Sequence, residues 1–105
     1  SDDGDVLRIT KKAVEKMEEE IDNSDVPKSY YLRLGLKGGG SESTHFFIEF
    51  DYYSSDIDVL IKFPSFELLI DKRSLFYLLN FVVDYKGIDD KQGFVLSIWE
   101  EESNN

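Results

Sequence analysis

The sequence predicts a mainly β protein of the α+β class, with two or more short helices packed on mixed or antiparallel sheets. Three observations lead there. Stretches that alternate apolar and polar residues with period 2 outnumber stretches with helical period. Only residues 11–22 and 72–79 read as helices. Regular strand–helix–strand alternation is missing, which argues against a doubly wound parallel sheet. A length of 105 residues fits one domain. We place that domain at residues 8–99, and expect flexible acidic tails at 1–7 and 100–105.

The elements follow in order. Thr10 stands where a helix cap is needed, and Ala13, Val14, Met17 and Ile21 then recur at helical spacing. Glu18, Glu19 and Glu20 fall mostly on the wet side, and this acidic end opposes the helix dipole. "DNSDVPKS" is a loop by composition. In "YYLRLGL", Leu32, Leu34 and Leu36 alternate with Arg33, Gly35 and Lys37. In "HFFIEF", Phe46, Ile48 and Phe50 share one side, with Phe47 and Glu49 on the other. The two runs form a hairpin joined by a long glycine-rich connection from Gly38 to Thr44. "VLIKF" is a short strand interrupted by Pro64 and Ser65, and "FELLID" resumes the alternation. Asp71 caps a second helix striped by Leu75, Leu78 and Leu79. "FVVDY" is a strand, "KGIDDKQG" a loop and "FVLSIW" a closing strand.

Composition narrows the function classes. The net charge is −10, from 12 basic and 22 acidic residues. Such a surface repels phosphate backbones and anionic lipid, so nucleic acid and membrane are not expected partners, while charge does not exclude basic protein surfaces. The run of apolar residues that a membrane span requires is absent, and "SDDGDV" does not read as a signal peptide, so a cytoplasmic location is expected. With no cysteine, disulfides and thiolate sites are excluded within these residues.

The candidate sites are few. Gly38, Gly39 and Gly40 are followed by a strand and by no lysine within the loop, which is unlike a phosphate loop. His45, the single histidine, has Glu42 nearby, and a carboxylate with an imidazole makes a weak divalent-metal candidate. The pairs Asp56 and Asp58, and Asp89 and Asp90, match no calcium loop and read as solvated faces. No nucleophile stands in a pattern with a base, so no catalytic residues and no enzyme activity are expected. Tyr31, Tyr53 and Trp99 are candidate interface residues, because interfaces favour such aromatics.

Four pieces in order, "ITKKAVEKMEEEI", "YYLRLGLKGGG", "LLIDKRSLFYLLNFVVDY" and "GFVLSI", resemble the A-type iron–sulfur cluster carriers, also called HesB-like or IscA-like. The resemblance spans about residues 8–98. It implies a compact, mostly β fold, assembly into homo-oligomers, and transfer of iron or a cluster to recipient proteins. It also places a family cysteine directly after the glycines, where Ser41 stands, with Glu42 and Ser43 in place of a small residue and glycine. The family's Asn-Pro-Asn turn and Cys-Gly-Cys tail are replaced by "IWEEESNN".

Clusters are held mainly by thiolates, with histidine as the chief substitute, and one serine oxygen does not replace three sulfurs. The expectation is therefore a non-catalytic HesB-like protein that holds no cofactor and acts through protein contacts, with components of cluster assembly as its expected partners. The alternative is an iron or iron–sulfur carrier that uses non-cysteine ligands, or one whose cysteines have been removed.

Overall fold

The computed structural model describes residues 7–39, 42–88 and 91–99. Seven strands and two helices follow one another as β1 (Arg8–Ile9), α1 (Lys11–Asp22), β2 (Tyr31–Gly39), β3 (Glu42–Asp51), β4 (Asp58–Lys62), β5 (Glu67–Asp71), α2 (Lys72–Leu78), β6 (Phe81–Ile88) and β7 (Lys91–Ile98). They form two mixed sheets, one ordered β1-β6-β7 and the other β3-β2-β5-β4. The α+β architecture matches the sequence expectation, and both helices begin where their capping residues place them.

Local chemistry explains those starts. The Thr10 hydroxyl accepts from the Ala13 amide at 3.1 Å and donates to Asp84 Oδ1 at 2.8 Å, so it both caps α1 and fastens it to β6. Asp71 accepts from the Ser74 amide at 2.8 Å and caps α2. α1 turns Ala13 and Met17 fully inward, as its spacing predicts. The core joins these to Leu32 and Leu34 of β2, Ile61 of β4, Leu68 and Ile70 of β5, Leu78 of α2 and Val83 of β6. Leu7, assigned from sequence to the terminal tail, is also buried there. Each fully buried Leu or Ile side chain contributes about 1.5–3 kcal/mol relative to exposure.

Three sequence expectations need correction. β1 is missing from the sequence reading; Arg8 and Ile9 pair in parallel with Val82 and Val83. The connection expected from Gly38 to Thr44 is shorter, because β2 runs through Gly39, β3 begins at Glu42, and Gly39 pairs with Glu42. The "KGIDDKQG" loop is mostly hairpin, with Lys86 opposite Gly93 and Gly87 opposite Gln92. Glycine and charged residues broke the alternation in both places, but a ladder needs only backbone groups in register.

Candidate functional site

The glycine hairpin is the place where the sequence puts the family's ligand loop. Two elements hold its base. The β2–β5 pairing runs from Leu32 opposite Leu68 to Leu34 opposite Ile70. Beyond it, the Leu36 amide donates to the Ser74 hydroxyl at 3.1 Å, and that hydroxyl donates to Asp71 Oδ2 at 2.8 Å. The N-terminal turn of α2 is thus tied to β2 just before the glycines. Ser74 is buried, so this polar chain replaces a ladder bond that water cannot supply.

Past that tie the register shifts between Lys37 and Gly39. Gly38 has φ of 96°, a left-handed conformation that favours glycine. Gly35 meets a different demand: a Cβ there would lie 2.7 Å from Phe47 Cζ, so the absent side chain is what lets the Phe47 ring lie against β2. His45 stands directly opposite Lys37 and is exposed. The Lys37 ammonium sits 4.5 Å from the centre of the Phe47 ring and 3.7 Å from Glu49 Oε1. Gly40 and Ser41, the remaining members of the expected ligand loop, lie outside the described residues, as do Asp89 and Asp90.

The three candidate interface aromatics do not converge on one surface. Tyr31 and Tyr53 belong to the four-stranded sheet and the segment after β3. Tyr31 is half-buried opposite Asp51, and Tyr53 is exposed. Trp99 follows β7 on the other sheet, where its amide donates to the Asn80 carbonyl at 2.8 Å. The Arg8 guanidinium lies over its ring at 3.5 Å.

One charged constellation escaped the sequence reading. Arg33 Nε donates to Asp51 Oδ2 at 2.7 Å, and its two terminal nitrogens grip both oxygens of Asp58 at 2.8 Å. The Ser55 amide adds a further bond to Asp58 at 2.8 Å. Expected on a solvated face, the Asp58 side chain is only 4% exposed. The Arg33 bonds hold the carboxyls of both Asp58 and Asp51 below the ordinary range, with burial opposing the shift. The same pairs raise Arg33. The usable signal was one arginine in mid-strand between leucines, on the face opposite theirs. The arrangement fastens the 52–57 connection to β2 and offers no open coordination position.

No family model matches the chain. Individual relatives do. Over 90 residues it is 33% identical to the iron–sulfur cluster insertion protein ErpA of Yersinia enterocolitica, covering 85% of this chain and 78% of that one. It is 30% identical over 83 residues to the uncharacterized protein ycf83 of Galdieria sulphuraria, covering 77% and 73%. The solved structure of Escherichia coli SufA, involved in biosynthesis of iron–sulfur clusters, shares the fold with a TM-score of 0.67 at 18% identity, over 88% of this chain and 79% of that one. The likeness to SufA shows a shared two-sheet α+β fold, and the identity to ErpA shows the family. The chain belongs to the A-type iron–sulfur carrier family.

The donors present do not fit the family's cluster. The 105 residues contain no cysteine. Among the described residues, no three of His, Asp and Glu come together as a metal-binding group. Ionised thiolates are the ligands that iron–sulfur clusters take, and a serine hydroxyl is a hard donor that ionises with difficulty. Among the described residues, no helix is long and apolar enough to cross a membrane.

Proposed function

We propose that this chain is a non-catalytic member of the carrier family that holds no cluster itself and works by binding other proteins of iron–sulfur assembly. The observation that carries the reading is the donor set: a family fold retained around a hairpin that offers no sulfur, with its only histidine facing a lysine. Exposed Tyr52, Tyr53, Phe76, Tyr77 and Ile98 supply apolar surface of the kind protein contacts use. In this reading Tyr31, Tyr53 and Trp99 are contact residues, the chain assembles with copies of itself, and it resides in the cytoplasm. Gly38 to Ser41 are a remodelled ligand loop.

The test is anaerobic incubation with ferrous iron and sulfide, followed by desalting. The expected result is colourless protein with iron far below one per chain. A stoichiometric cluster that His45→Ala or Glu42→Gln abolishes would overturn the proposal and establish a carrier with non-cysteine ligands.

A further inference from the structure

At the end of β2 remote from the glycine hairpin the molecule has a cleft of about 970 Å³, the size of a binding site for a small ligand or a short peptide segment. Tyr31 and Gly38 are seven residues apart on β2, so the two places lie roughly 23 Å apart at about 3.3 Å per residue. We infer that this cleft is a docking site for a partner protein's peptide segment that carries an aromatic or aliphatic anchor flanked by lysine or arginine. The inference rests on the reading that the chain acts through protein contacts, and names a surface and a partner chemistry for it.

The apolar part of the cleft is built in advance. Phe63 and Phe66 stack with ring centres 4.9 Å apart and planes within 16°. The Phe63 amide donates to the Phe66 carbonyl at 2.9 Å, which closes the turn that brings the two residues together. Phe50 and Tyr30 line the cleft with them. Aromatic-lined grooves of this kind take peptide segments, because flat rigid rings give contact area at little entropic cost.

Charge selects the segment. The last turns of α1 carry Glu18, Glu19, Glu20 and Asp22 with no basic residue in the last turn, and they end at the negative pole of the helix. The Ser65 hydroxyl donates to Glu18 Oε2 at 2.6 Å and fastens this acidic end to the Phe63–Phe66 turn. Glu67 adds a carboxylate to the lining. Two lysines oppose these acids. Lys62 stands directly opposite Glu67 in the β4–β5 register, so these two charges offset each other on the rim. Against Lys28 stand Asp22 in the lining, Glu18 joined to the lining through Ser65, and the helix end, in a chain of net charge −10. A basic segment is attracted to this rim, and an acidic one is repelled.

The experiment is a titration of the full chain, followed by backbone amide chemical shifts, with three synthetic tripeptides: Lys-Trp-Lys, Glu-Trp-Glu and Lys-Gly-Lys. Lys-Trp-Lys is expected to shift the amides of Tyr30, Phe66 and Glu67 saturably, with the other two peptides several-fold weaker. The double variant Asp22→Lys/Glu67→Lys, whose sites are exposed, should keep a dispersed spectrum and lose about tenfold in affinity for Lys-Trp-Lys. Equal binding of Glu-Trp-Glu, shifts confined to residues outside the cleft, or undiminished binding by a folded double variant would each overturn the inference. Such a failure leaves the cluster-free reading standing, because iron and sulfide incubation decides that separately.

Discussion

Near its start β2 is crossed by charge pairs, and at its far end it runs out into glycine. Arg33 gathers Asp51 and Asp58 into a network whose three Arg33–carboxylate bonds are 2.7–2.8 Å long and in which the Asp58 side chain is nearly shut away from water. Four residues further along the same strand Lys37 pairs with His45 of β3, both exposed, and Gly38 after it turns left-handed. The first region is structural, whereas in the proposed reading the second is a remodelled ligand loop. The buried core residues of β2, Leu32 and Leu34, lie at the Arg33 end, before the register shift between Lys37 and Gly39. In that reading, residues beyond the register shift could be exchanged with Leu32 and Leu34 left in place.

That contrast can be broken by mutation. Arg33→Ala should have the largest effect, because it strands the buried Asp58 carboxylate; a loss of about 3–5 kcal/mol is expected in urea unfolding. A loss below about 1 kcal/mol would mean that the network is no firmer than a surface ion pair. Acid sharpens the same point. Asp51 and Asp58 have folded-state values lowered by Arg33, so their stabilisation is complete above the unfolded value of 3.8 and is lost as pH falls through the folded values. The gap in urea midpoint between wild type and Arg33→Ala should therefore narrow between neutrality and about pH 3. A gap independent of pH would remove the carboxylates from the explanation. At the other end of the strand, His45→Ala should change stability by no more than about 0.5 kcal/mol, as an exposed position allows. A larger loss would show that the hairpin has an undetected structural partner.

What the sequence made legible was local. Both helices were readable because a cap and a 3.6-residue stripe lie within a dozen positions, and the structure places Thr10 and Asp71 at the caps. The Leu32, Leu34 and Leu36 alternation identified the core face of β2 for the same reason. The burial of Asp58 was not legible, since it depends on an arginine 25 residues earlier and on no pattern of its own. β1 is two residues long and carries no period. The cleft combines the end of α1, the segment before β2 and the Phe63–Phe66 turn, and nothing in any one of them announces the other two. The candidate loop was read from its glycines and from the family resemblance, and its Gly40 and Ser41 lie outside the described residues.

The parallel pairing of β1 with β6 has a consequence for how the chain is made. Arg8 and Ile9 find their partners at Val82 and Val83, and Thr10 is anchored to the Val83 carbonyl and to Asp84. A ribosome needs roughly 4–15 s to add the intervening residues at about 5–20 per second. Through that interval Arg8 and Ile9 await a neighbour that does not yet exist, so the three-stranded sheet closes only after Val82 and Val83 have been synthesised.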